Sequence, residues 1–349
     1  MSEKRIPLAL VGTGEIGLYR GFIAKALPEY ELVCIVEKNP IMARLVGKQL
    51  SVPYYTRYKE AARKETFAAV ILSTPEHTHH DLAMEILEDR KHIFCEKPLS
   101  ASLADSKEMV QKAIEKNIVH QVGYTLRCHP TFMKTKEILE SNALGEVKYI
   151  KVVGHNSEAI RPETRKDRKE REKRFGMYGS FSVHYIDLML WFAGRVKEVF
   201  AYANRMFSTT LDDFVLAVMR FEKGAVGNLD IGWGHHGIEK NYLSIFLTGT
   251  KGSLMVDFDR IEMYKEEEHG ELECSCNRFY NSELAGSVGF ELGGKNLSPE
   301  MENFAKSILD GRGASPDWKD GYRVDEFVDS LNKSIANKKQ MVFQEREKI

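Results

Sequence analysis

The sequence predicts two domains of different class. Residues 1–123 read as an α/β domain on a doubly wound parallel sheet, and residues 124–349 as an α+β domain with a large, mostly antiparallel open sheet. Two observations carry this reading. Up to Gly123, short apolar runs alternate with amphipathic stretches, the strand-helix rhythm that folds into a parallel sheet. Beyond it the β-rich runs lengthen and are split by turn signals such as Glu222-Lys223-Gly224 and Thr250-Lys251-Gly252, which favours antiparallel pairing with few crossover helices.

In order, the expected strands of the first domain are LALV (8–11), LVCIV (32–36), AVIL (69–72), HIFC (92–95) and IVHQVG (118–123). IGLYRGFIAKAL and ADSKEMVQKAIEKN, among the segments between them, space their apolar residues at helical intervals. In the second domain the stretches are VKYIKVVGHN, VKEVFAYANRM, DFVLAVMRFEKGAVGNLDIGW, YLSIFLTGT and GSLMVDF. Too few helical segments accompany them to cover both faces of a sheet, so one face is expected to meet another subunit in a homodimer or homotetramer.

Composition narrows the function classes. The 349 residues are 43% hydrophobic and 29% charged, with a formal net charge of -1, so neither nucleic acid nor an anionic membrane is called for. No apolar run reaches the roughly 18 residues that span a bilayer, and MSEKRIPLAL lacks the form of a signal peptide. Five cysteines without a C-x-x-C pair fit a reducing compartment, the cytoplasm. Cys274 and Cys276 beside His269 lack the second ligand pair of a zinc site, and no metal is expected.

LVGTGEIG, residues 10–17, sets Gly12, Gly14 and Gly17 in G-x-G-x-x-G spacing between the first strand and the first helix. Gly12 permits a tight turn, Gly14 lets backbone approach a pyrophosphate, and Gly17 allows close helix-strand packing. Unpaired N–H groups at the helix start, over Thr13, Gly14, Glu15 and Ile16, then face the anion. Glu37 ends the second strand 20 residues after Gly17, where a carboxylate binds the adenosine ribose and repels a 2′-phosphate. The combination is a Rossmann dinucleotide site that favours NAD. Lys38 and Arg44 are the residues that would reach the phosphate of NADP.

FCEKPLS, residues 94–100, follows the HIFC strand. Pro98 cannot extend a buried strand, so Lys97 falls at its C-terminal tip, the edge where open α/β sheets bind ligands.

Together with STPEHTHHDLA (73–83), GYTLRCHPTF (123–132), LGEVKYI (144–150), GSFSVHYIDLMLWFAG (179–194) and GTKGSL (249–254), these motifs make the chain resemble the glucose-fructose oxidoreductase and inositol dehydrogenase family, Gfo/Idh/MocA. The resemblance also takes in ENFAKSILDGRGASPDWKDG (302–321) and covers nearly the whole chain. It implies an NAD(P)-dependent oxidoreductase that moves a hydride to or from a hydroxyl-bearing carbon of a sugar, cyclitol or sugar derivative. Ser73, Thr74, Pro75 and His79 fall where the family's loop passes the cofactor, with Glu76 in place of the more usual Asn. Glu96 belongs with them.

Lys97 and His184 are the implied catalytic residues. A lysine at a crowded strand tip stabilises a developing alkoxide, and a histidine titrating near neutrality exchanges the hydroxyl proton. Asp187 shares a helix face with His184 and either orients the imidazole or binds a substrate hydroxyl. Ser180 stands where many family members have an Asp, and a hydroxyl cannot replace a carboxylate base. Arg127 matches a basic position directed toward substrate and suits a carboxylate or phosphate. Trp233, with His235 and His236, lies in a segment that lines the family's cleft, where it either stacks on a substrate sugar ring or serves the core or the rim. The charge run 163–174 is either a solvated segment or a lid over an anionic sugar. Two other functions share this scaffold: an enzyme that retains NAD and performs net glycoside cleavage or elimination, and a catalytically silent dinucleotide sensor.

Overall fold

The computed structural model describes residues 5–157, 160, 182–208, 212–238, 241–286, 290, 292 and 296–343. Two compact units emerge: the described residues up to Thr125 and from Phe290 to Asp325 form the first, and those from Leu126 to Gly286 and from Glu326 to Phe343 the second.

The first unit carries a parallel sheet of β1 (Ile6–Val11), β2 (Tyr30–Val36), β3 (Tyr54–Tyr55), β4 (Ala69–Leu72), β5 (His92–Cys95) and β6 (His120–Val122), ordered β3-β2-β1-β4-β5-β6. Its helices are α1 (Glu15–Ala26), α2 (Pro40–Leu50), α3 (Tyr58–Lys64), α4 (His79–Glu88) and α5 (Leu103–Lys116). Caps and breakers set their limits. Asn39 accepts from the Ile41 and Met42 N–H groups to start α2, and Ser102 accepts from Asp105 N to start α5. The central strands are largely buried on both sides, β4 wholly so and β1 and β5 at all but one residue each, as expected of a sheet with crossovers on its faces.

The second unit holds α6 (Pro130–Glu140), β7 (Val147–His155), α7 (Val183–Ala193), β8 (Val196–Asn204), β9 (Phe214–Phe221), β10 (Val226–Gly232), β11 (Tyr242–Gly249), β12 (Gly252–Val256), β13 (Arg260–Lys265), β14 (Cys276–Tyr280), α8 (Asn281–Leu284) and β15 (Met341–Val342). The sheet runs β14-β13-β12-β11-β7-β10-β9-β8-β15. Only the central β7-β10 pair is parallel; the named pairs around it are antiparallel. Period-two alternation buries one side, with Val152, Ala217, Leu229 and Ile245 among its residues, and leaves the other open. On the open side Phe200 lies opposite Val218 and Tyr202 opposite Leu216, with Tyr202 64% and Val218 54% exposed.

The last stretch of chain departs from a simple two-part division. The sequence assigns 124–349 to one domain, yet the described residues from Phe290 to Asp325 group with the first unit. The reason is apolar: α9 (Leu297–Leu309) contributes Leu297, Met301, Phe304 and Ala305 to the cluster of Leu8, Leu10, Ile35, Ile71 and Phe94. Phe304 meets Phe94 edge-on at 5.8 Å, and Tyr30 Oη donates to the Met301 carbonyl at 2.7 Å. Then α10 (Trp318–Asn337) begins with Trp318, whose Nε1 donates to the Gln121 carbonyl at 3.0 Å.

Candidate functional site

At the C-terminal edge of the parallel sheet, Gly12 has φ +91°, a left-handed value that favours glycine, and a Cβ there would stand 2.4 Å from the Ser73 carbonyl oxygen. A Cβ at Gly17 would meet the Gly12 carbonyl oxygen at 2.2 Å. Gly14 is different: a Cβ there has nothing within 4 Å. It is the N-cap of α1 and makes no side-chain cap, so the helix N-terminus offers backbone donors to open space. Gly14 and Glu15 are exposed, Ile16 is half-buried and Thr13 is buried.

Glu37 sits just past β2 and is half-buried. Its Oε2 accepts from Thr13 N at 3.1 Å and Thr13 Oγ1 at 2.8 Å, and its Oε1 from Asn39 N at 2.9 Å. The carboxylate thereby ties the glycine turn to the start of α2. Lys38 and Arg44 are both exposed nearby in sequence. These residues fit a dinucleotide: a positive-φ turn, an uncapped helix start with room in front of it, and a fixed acid beside the turn.

A variant tests that fit. The Gly14 backbone is extended, at φ -63° and ψ -177°, so a β-branched residue is tolerated there. Gly14→Val is expected to keep the wild-type thermal midpoint and to weaken NADH by more than about tenfold, roughly 1.4 kcal/mol. Fluorescence titration measures it, and wild-type affinity would remove this turn from the site.

The loop after β4 brings Ser73, Thr74 and Pro75 to the same edge. Ser73 N donates to the Val11 carbonyl at 2.7 Å, and Thr74 Oγ1 accepts from Thr78 Oγ1 at 2.8 Å. His79 is buried. Its Nε2 lies 2.8 Å from the Thr74 carbonyl oxygen, and its Nδ1 lies 3.1 and 3.2 Å from those of Pro98 and Leu99. Burial lowers its pKa. Its role here is to join the 73–75 loop to the 97–99 loop.

Past β5, Glu96 N donates to the Leu72 carbonyl at 2.9 Å and Gly123 N to the Cys95 carbonyl at 2.9 Å. The strand register therefore persists to the threshold of Lys97, which is half-buried and precedes a cis peptide bond to Pro98. Cys95 is wholly buried, and burial raises the pKa of its thiol. Glu96 turns to Arg20 of α1, whose Nε donates to Oε1 at 2.5 Å, while Arg20 Nη2 donates to Glu300 Oε2 of α9 at 2.7 Å. The Arg20 guanidinium also lies 4.0 Å from the Phe94 ring centroid. Burial works against its charge, and the two carboxylates more than offset that, so its pKa rises above the ordinary value. Sequence reasoning missed Arg20 and Glu300. The available signal was that Arg20 shares the buried face of α1 with Gly17, Gly21 and Ala24.

In the second unit, His184 is buried in the first turn of α7. The next residue, Tyr185, lies flat against β7, where a Cβ on Gly154 would be 2.2 Å from the ring. Asp187 accepts from Arg127 through both oxygens, Oδ2 from Nε at 2.9 Å and Oδ1 from Nη2 at 2.6 Å. The two residues that the sequence directed toward substrate thus form a buried fork. Arg127 Cζ lies 5.1 Å from the Trp191 ring centroid. Trp233 is buried, its N–H on the Asp213 carbonyl at 2.8 Å. His235 stacks on His155 with centroids 3.8 Å apart, and His155 Nε2 lies 2.9 Å from Asp230 Oδ1. Ser180 and the charge run 163–174 lie outside the described residues. Among the described residues, no group of three or more His, Cys, Asp or Glu could hold a metal, and no helix is long and apolar enough to cross a membrane.

Comparison with known proteins bears on the family and the fold. Levoglucosan dehydrogenase of Pseudarthrobacter phenanthrenivorans is 25% identical over 90% of this chain and 89% of its own. A 2,7-anhydro-N-acetylneuraminate hydratase of Mediterraneibacter gnavus is 24% identical over 90% of this chain and 89% of its own. The solved complex of levoglucosan dehydrogenase with NADH and levoglucosan shares the fold, with a TM-score of 0.85 at 24% identity over 97% of this chain and 99% of that one. Residues 6–124 match the model of the oxidoreductase family with an NAD-binding Rossmann fold, and residues 132–255 match the GFO/IDH/MocA C-terminal domain. Both halves of the architecture being matched in order, the chain belongs to the Gfo/Idh/MocA family of NAD-binding oxidoreductases.

Proposed function

We propose that the protein is a cytoplasmic, NAD-dependent dehydrogenase or reductase acting on a hydroxyl-bearing carbon of a sugar, cyclitol or anionic sugar derivative. The observation that carries this reading is the open space before Gly14 beside the anchored Glu37, on the sheet edge that also bears Lys97. When bound, the nicotinamide accepts or returns the hydride. Lys97 supplies positive charge to the oxygen that becomes an alkoxide, and His184 takes or returns the hydroxyl proton. The levoglucosan dehydrogenase relative supports a sugar as substrate. The hydratase relative supports a second reading, in which NAD stays bound and the hydride returns to the product.

The test is turnover of levoglucosan, myo-inositol, scyllo-inositol and uronates with added NAD, followed by NADH absorbance and product analysis. NADH accumulating with product supports the dehydrogenase. Product without NADH supports the redox-neutral enzyme, and intact NADH binding without any product supports a silent sensor.

The assembly proposed is a homodimer or homotetramer closed over the open face of the second sheet. Phe200, Tyr202, Leu216 and Val218 are each at least 43% exposed there and face one another across the β8-β9 pair, the kind of clustered apolar surface that marks an interaction face. A second copy of the same face is the occupant that symmetry favours. Sedimentation is expected to give a dimer or tetramer, and Leu216→Asp with Val218→Asp a monomer. Wild-type protein that sediments only as monomer at micromolar concentration contradicts the assembly.

A further inference from the structure

The titratable groups around Glu96 come from three helices: the charged Arg20 from α1 and Glu300 from α9, and from α4 the His79 imidazole, whose charged form burial disfavours. Arg20 is wholly buried, Glu300 likewise, and the Glu96 side chain is 12% exposed. A Cβ on Gly123 would come within 2.9 Å of Glu96 Oε2, so the carboxylate fills the space beside β6. Glu96 N still donates to the Leu72 carbonyl just past β5, and Lys97 is the next residue, so the anchored Glu96 fixes the backbone from which the Lys97 side chain leaves. Anchoring one therefore directs the other.

We infer that Arg20 is a positioning residue for Lys97: by holding the Glu96 carboxylate on the buried side, it keeps that charge away from the Lys97 ammonium and fixes the strand tip. This rests on the reading that Lys97 supplies the reaction's positive charge. Arg20 also stands on the helix whose first turn forms the glycine cradle, so one guanidinium ties the cradle's helix to the tip of β5. Without it, the Glu96 carboxylate loses the guanidinium that holds it and is one residue away from the Lys97 ammonium. An opposite charge within about 4–6 Å raises an amine's pKa by about 1–3 units.

The experiment is competitive acetylation of the full-length chain by trace acetic anhydride, read at Lys97 by mass spectrometry across pH. Arg20→Met is expected to slow Lys97 acetylation about tenfold or more below the amine's pKa, because more of it stays protonated. Arg20→Met with Glu96→Gln removes the freed carboxylate and is expected to restore the rate to within about twofold of wild type. A merely structural role for Arg20 predicts that the double variant stays as altered as the single, and that result overturns the inference. So does an Arg20→Met protein acetylated at the wild-type rate. Should Arg20→Met fail to fold, Arg20→Lys, which keeps a charge but lacks the two-sided fork, is expected to show a smaller slowing, and no slowing overturns the inference. The readout needs neither NAD nor substrate, so it stands apart from the turnover of Lys97 variants, which tests the catalytic reading itself.

Discussion

Lys97→Met is expected to slow hydride transfer by about a hundredfold to a thousandfold, the usual cost of losing one preorganised electrostatic group that acts in the transition state. NADH binding stays within a small factor of wild type, because the cradle residues Gly12, Gly14 and Glu37 are untouched. Methionine keeps the bulk and removes the charge, and Lys97 follows β5 through a backbone bond from Glu96 to Leu72 that the substitution leaves in place. Single-turnover measurement separates this from the alternative. An ordinary charged strand end is worth about 0 to 1 kcal/mol, and a Lys97→Met protein reducing NAD within a factor of a few of wild type would return Lys97 to that status.

The second large effect is on stability. Asp187 and Arg127 are buried, with side chains 1% and 6% exposed, and exchange two charge-assisted hydrogen bonds. Asp187→Ala takes a two-point carboxylate partner from a buried guanidinium and is expected to cost about 3–5 kcal/mol. Replacing both, Arg127→Met with Asp187→Leu, is expected to recover most of the loss, since well-packed apolar side chains often equal a buried ion pair. Urea unfolding measures both. A loss below about 1 kcal/mol for Asp187→Ala would mean that the fork is not a structural unit.

The contrast between these two predictions marks what the sequence could disclose. The cradle was legible because its glycines, strand and helix are neighbours in the chain, and Glu37 is tied to it by β2. The five longer strands of the first sheet were legible as apolar runs, whereas Tyr54–Tyr55 is too short to show any period. In the second sheet, β13 and β14 were passed over because one face of each is charged or polar, as at Arg260, Glu262 and Arg278. The fork of Arg127 and Asp187 joins residues 60 apart, and Arg20 and Glu300 are 280 apart. Local pattern gives each residue's face but not its partner. Read one at a time, Arg127 points to substrate, Asp187 to the imidazole or a substrate hydroxyl, and Glu96 to the cofactor; the ion pairs that the structure adds are compatible with each of these roles.

The return of α9 to the first unit also orders events in time. Leu297, Met301, Phe304 and Ala305 complete the core around Phe94, and they leave the ribosome long after β6. At roughly 5–20 residues per second, about ten seconds or more pass between the two. Throughout that interval the nascent nucleotide-binding half has its strands but not the helix that covers Phe94 and pairs with Arg20. The first half to be made is thus among the last to close, and its unfinished apolar surface is what a chaperone would meet.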